Sequence, residues 1–132
     1  MCFNSLNIPI KYIATEDITC YKICKKKNNK YYSLYYRKKY IPNKIYRMIK
    51  NFYIKKDLYK SMSETNIIYN INKGYHSYMN YITTLSYFEL LGGTIVSMCI
   101  CKFVIPKGST YYKNEKENIY VSNKIKFIQE IK

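Results

Sequence analysis

From Val96 to Ile105 nearly every position is apolar, and β-branched or sulfur-bearing side chains dominate. Side chains alternate across a strand, so Cys99, Cys101, Phe103 and Ile105 share one face, with Val96, Met98, Ile100 and Val104 on the other. Apolar residues on both faces mean that both are covered. Pro106 cannot donate to a ladder, and Pro106-Lys107-Gly108 supplies a turn. The pattern predicts the central strand of one small sheet.

The same reading runs along the rest of the chain. Ile8–Ile13 reads as a short edge segment, since Pro9 bars it from a central position. Ile18–Cys24 is the first good strand, Lys25–Lys30 a turn in which asparagine tolerates left-handed dihedrals, and Tyr31–Tyr36 the returning strand. Lys39–Phe52 fits a helix or a strand equally. Lys55–Thr65 is polar and reads as a loop, Asn66–Ile71 as a short strand.

Ser77 is a candidate N-cap for a helix over about 78–91, whose buried stripe is Tyr78, Ile82, Leu85, Phe88 and Leu91. Gly92-Gly93 ends it. A loop, Lys107–Asn118, then leads into a last strand, Ile119–Ile128. The elements add up to a single α+β domain over 1–132: one small, mainly antiparallel sheet with one helix packed on it.

A length of 132 residues suits one domain, and 48% apolar with 17% aromatic content argues for a folded core. Tryptophan is absent, while there are 18 tyrosines. No secretory pattern opens the chain, and no apolar stretch reaches the roughly 20 residues that span a bilayer, so the expectation is a cytoplasmic protein without a membrane partner. Cys2, Cys20, Cys24, Cys99 and Cys101 read as buried free thiols in a reducing compartment. A zinc site from the last four lacks the paired C-x₂-C loops of structural zinc, and no metal or other cofactor is implied.

Charge changes the picture. The net charge is +15, and Lys25–Lys60 alone holds 13 Lys/Arg against one acid, Asp57. AT-rich codon usage explains lysine and tyrosine in general but not the near absence of acids from one segment. Lysines interleaved with tyrosines neutralise phosphates and offer stacking surfaces. Only two of those 13 residues are arginine, which favours sequence-tolerant contact over bidentate base reading. The candidate binding residues are Lys25, Lys26, Lys27, Lys30, Tyr32, Tyr36, Arg37, Lys38, Lys39 and Arg47.

His76 and Ser77 join them as ligand contacts beside a helix start, where an anion is favoured. Lys107-Gly108-Ser109-Thr110 matches the end of a phosphate-binding loop, but the upstream glycine and the following helix are missing. The expected partners are nucleic acid, a phosphorylated small molecule or an acidic host protein.

Ile13–Lys22, Gly74–Tyr78, Ile105–Tyr112 and Tyr120–Lys124 together resemble small uncharacterised proteins of gut Bacteroidetes, their phages and other AT-rich viral genomes. That resemblance implies a viral origin and carries no activity. Tyr21-Lys22 and His76-Ser77 also resemble the first two elements of ADP-ribosyltransferase-like folds, which implies an enzyme of that type or an inactive relative. Where that family's catalytic acid would stand, this chain has Ser122-Asn123, with Glu115 and Glu117 in the preceding segment. No catalytic residue is therefore carried over.

Overall fold

The computed structural model describes residues 3–34, 38–60, 65–92 and 97–132. Thirteen strands and one helix occur among them. In chain order they are β1 (Phe3–Ser5), β2 (Tyr12–Ile13), β3 (Ile18–Lys27), β4 (Lys30–Ser33), β5 (Lys39–Tyr40), β6 (Ile45–Arg47), β7 (Ile54–Lys60), β8 (Thr65–Ile71) and β9 (Tyr75–Tyr78). Helix α1 (Tyr81–Leu90) follows, then β10 (Met98–Ile105), β11 (Thr110–Asn114), β12 (Ile119–Ser122) and β13 (Lys124–Glu130). The α+β class holds. The single small sheet does not: a ten-stranded sheet runs β2-β11-β12-β9-β3-β10-β13-β6 with β4 and β5 branching from β3, and a second sheet runs β1-β8-β7.

β10 is central, as its two apolar faces require, and pairs antiparallel with β3 on one side and β13 on the other. A single residue, Asn123, joins β12 to β13, although β9, β3 and β10 lie between them in the sheet. In a flat sheet those two strands would stand about 19 Å apart, so the sheet has to curl. Asn123 pins the corner. Its N–H donates to the Thr110 carbonyl at 3.0 Å, and its Oδ1 accepts from the Thr110 N–H at 2.9 Å. The same corner reverses the apolar row: Ile119 and Val121 belong to one core, Ile125 and Phe127 to the other. The expected single strand Ile119–Ile128 is therefore two, β12 and β13, broken at that corner.

The inner core fills the curl with Cys20, Cys24, Cys99, Cys101, Phe103 and Phe127, over which the buried Tyr40 and Tyr46 close. The outer core lies between the opposite face of the sheet, α1 and the three-stranded sheet, and includes Phe3, Ile23, Ile71, Phe88 and Ile100.

Several expected elements differ. Residues 75–78 form strand β9, so Ser77 is not a cap; Asn80 caps α1, its Oδ1 accepting from the Thr83 N–H at 2.8 Å. The helix buries Thr84 and Phe88, with Tyr81 and Leu85 packed beside them, while Ile82 is 76% exposed. Residues within Lys55–Thr65 form β7 rather than a loop, because β8 satisfies their backbone even though the segment is largely polar. Lys107–Asn118 likewise contains β11, which pairs with β2 and β12. The Lys25–Lys30 turn shrinks to Asn28-Asn29, both left-handed at φ 52° and 60°, and its lysines belong to the flanking strands. The ambiguous stretch after Lys39 supplies the short strands β5 and β6.

Candidate functional site

The basic segment is built on β3, β4 and β5. Register sorts it, because residues paired across strands point to the same side. Lys27 faces Lys30, Lys25 faces Tyr32, and Tyr32 faces Lys39. These five side chains therefore share the outward face, with all four lysines exposed and Tyr32 half-buried. Lys26, Tyr31 and Tyr40 form the opposite row. There Lys26 Nζ lies 2.7 Å from Glu130 Oε1, and the Tyr31 hydroxyl donates to the same carboxylate at 2.9 Å. The hydrogen bond from Lys26 holds the Glu130 carboxyl below its usual pKa, while burial raises the Tyr31 phenol. A register shift between β10 and β13 at Lys102/Phe103 turns Glu130 toward that row.

The other expected binding residues scatter. Tyr36 and Arg37 lie outside the described residues. Arg47 is exposed on the edge strand β6, opposite Lys124 rather than beside the hairpin. Ser77 is fully buried in the curl; its hydroxyl lies against the Cys20 thiol, whose pKa burial pushes up to about 12.

His76 sits mid-strand, not at a helix start, and its ring nitrogens approach two carbonyls: Nε2 to Ile71 at 2.9 Å and Nδ1 to Gly74 at 3.2 Å. It staples the β8–β9 connection. Burial holds its pKa below the ordinary imidazole range, with the nearby Lys22 charge acting in the same direction. Gly74 has φ 126°, and a Cβ there would stand 2.7 Å from a Val121 methyl and 2.9 Å from the Phe52 ring, so only glycine fits.

Two concave features flank the hairpin. One is a groove of about 680 Å³ lined by Lys25, Lys26 and Lys27 together with Leu34, Leu91 and Met98. The other, about 240 Å³, opens where the edge of β3 changes partner. Tyr21 pairs with Tyr78 of β9, and pairing with β4 begins at Cys24, so Lys22 and Ile23 stand at a fork.

Lys22, Lys38, Tyr75 and His76 line this fork cleft, with Leu34, Tyr78 and Leu91 as apolar walls. Lys38 is set there by its backbone. Its N–H donates to Ser33 Oγ at 2.9 Å, and its carbonyl accepts from the Ser33 N–H at 2.7 Å. Its Nζ donates to the Tyr75 hydroxyl at 2.8 Å and lies 4.8 and 4.9 Å from the Tyr46 and Tyr75 ring centres. Lys22 donates to the His76 carbonyl, and burial lowers its pKa.

Lys22 and Tyr75 do not emerge from charge density along the chain. A signal for Lys22 is present all the same: it interrupts the row Cys20–Lys22–Cys24 on the apolar face of β3.

Cys20, Cys24, Cys99 and Cys101 are buried free thiols. Cys99 and Cys101 Sγ lie 3.6 Å apart, yet among the described residues no group of three or more His, Cys, Asp or Glu is arranged to hold a metal. No helix of the described residues is long and apolar enough to cross a membrane. Compared with models of protein families, with curated proteins and with solved structures, the chain matches none of them.

Proposed function

We propose that this chain is a binding protein for nucleic acid, which it engages through the outward face of the β3–β4–β5 hairpin. The observation that carries the reading is the register that brings Lys25, Lys27, Lys30 and Lys39 to one side of Tyr32. No acid occurs between Lys25 and Lys56, so nothing within the hairpin neutralises that face. Exposed lysines contact phosphates as point charges and release counterions, which gives affinity without base reading. The neighbouring groove, lined by Lys25, Lys26 and Lys27 together with Leu34, Leu91 and Met98, offers unpaired bases an apolar bed. Single strands are therefore the favoured form.

The test is fluorescence anisotropy of a labelled single-stranded oligonucleotide between about 50 and 200 mM salt. Replacing the four outward lysines by glutamine reduces the slope of log affinity against log salt by about 3, at about 0.7 per phosphate contact. An unchanged slope and affinity overturn the proposal. Binding of polyglutamate with no binding of the oligonucleotide would point instead to an acidic protein partner.

A further inference from the structure

The fork cleft carries a problem of charge. Two ammonium groups line it, and among the described residues no carboxylate does. Lys22 has a neutral carbonyl for its hydrogen-bond partner, and Lys38 has a phenol and two ring faces. The carboxylate that reaches the hairpin, Glu130, is taken by Lys26 and Tyr31. Drawing an ammonium out of water without a counter-charge is unfavourable, and the lowered pKa of Lys22 expresses that cost. A chain that places two lysines around one opening, with no carboxylate among the described lining residues, is suited to an anion supplied from outside.

The shape narrows the anion. The opening lies between β9 and β4 and takes side chains from both faces of the sheet: Lys22 and Tyr75 from the inner face, Tyr78 from the outer. Its polar end holds two ammonium groups and the Tyr75 hydroxyl, and its walls are Leu34, Tyr78 and Leu91. A single carboxylate would leave one lysine uncompensated, whereas a phosphate monoester carries about −1.5 to −2 charges near pH 7. The apolar walls favour an ester with an organic body over free phosphate, and about 240 Å³ leaves room for only a small one.

We propose that the fork cleft binds a phosphate monoester, with the phosphate held by Lys22, Lys38 and the Tyr75 hydroxyl and the organic group against Leu34, Tyr78 and Leu91. The monoester has two possible sources: a small organic phosphate, or the terminal phosphate of a strand lying in the neighbouring groove. Leu34 and Leu91 line both features, so the groove leads to the cleft.

The experiment is calorimetric titration of the full chain with a nucleoside 5′-monophosphate and with the matching nucleoside. The monophosphate is expected to bind at least about tenfold more tightly, because charge-assisted contacts are the strong ones. Lys38→Met and Lys22→Met should each weaken it by about tenfold or more. Lys22→Met should also leave the ligand-free melting temperature unchanged or raised, since it removes an uncompensated ammonium. A merely structural Lys22, tying β3 to the His76 carbonyl, would instead lower it.

Glutamine at the four outward hairpin lysines should leave monophosphate affinity intact, which separates this site from the hairpin face. Oligonucleotides with and without a terminal phosphate distinguish the sources: a preference that Lys38→Met abolishes supports a strand end, and equal binding supports a small ester. Equal affinity for monophosphate and nucleoside, or lysine variants that leave monophosphate affinity unchanged, overturns the proposal.

Discussion

The two faces of the β3–β4–β5 hairpin share one composition and do opposite work. Lys26, Tyr31 and Tyr40 turn inward, where the lysine is matched by Glu130 and the rings pack on Phe127 and Phe103. One position along each strand, Lys25, Tyr32 and Lys39 turn outward, where among the described residues no carboxylate forms an ion pair with either lysine. A run of lysine and tyrosine is thus neither a binding face nor a core. The two-residue period of the strand makes it both, and the Asn28-Asn29 turn fixes which residue goes where.

Breaking the inward row should show the largest effect. Tyr40→Ala removes a ring set against Tyr46, Phe103 and Phe127 and should cost about 3–5 kcal/mol in chemical denaturation. Tyr32→Ala, on the outward side, should change stability by less than about 1 kcal/mol while weakening oligonucleotide binding. Equal losses of stability at both positions would erase the distinction.

Alkali should attack the inward side next. Burial raises the Cys20 thiol from 9.0 to about 12 and also raises the Tyr40 phenol, so the folded chain holds these protons more tightly than the unfolded one. Their stabilising contribution is complete below about pH 9 and is lost as pH climbs toward 12, with as much as about 4 kcal/mol at stake from Cys20. Lys22 acts in the opposite direction, since burial lowers its pKa and the unfolded chain binds its proton more readily. Denaturant midpoints measured from pH 8 to 11 should fall, and Cys20→Ala should flatten part of the fall.

A smaller effect is expected at the fork, where Gly74→Ala forces a side chain into a left-handed position against Val121 and Phe52. The cost should be about 1–3 kcal/mol, read from the thermal midpoint, with loss of monophosphate binding as the staple at His76 shifts. Smallest is Glu130→Gln. The Lys26–Glu130 pair is partly exposed, so its removal should move the denaturant midpoint only slightly near neutral pH. Because the Glu130 pKa is lowered, that contribution is present above the ordinary carboxylate range and lost as pH falls below it. Wild type and variant should therefore converge in acid.

The elements that could be read from the chain were those in which burial on both faces or turn chemistry left one solution. β10, the β3–β4 hairpin, the left-handed asparagines and the glycine turn at Gly108 belong to that group. Those that could not depend on partners distant in sequence. β7 is largely polar and β11 carries its apolar surface on Tyr111 and Tyr112 alone, and both strands exist because β8, β2 and β12 satisfy their backbones. Ser77 has an N-cap's chemistry, but the strand continues through it to Tyr78, and Asn80, with the same chemistry three residues later, caps the helix.

Of the candidate site, charge density found the outward lysines and Lys38. It missed Lys22 and Tyr75, which come together at the fork only after the sheet has curled, and it grouped Arg47 with a hairpin from which β10 and β13 separate it.

The central claim, that register divides one basic hairpin into a structural face and a docking face, is tested most directly by amide chemical-shift mapping of isotope-labelled protein titrated with a single-stranded oligonucleotide. The account predicts the largest shifts at Lys25, Lys27, Lys30, Tyr32 and Lys39, fading as salt rises. Shifts centred on β6 and β13 around Arg47, Lys124 and Lys126, with the hairpin unmoved, would contradict it.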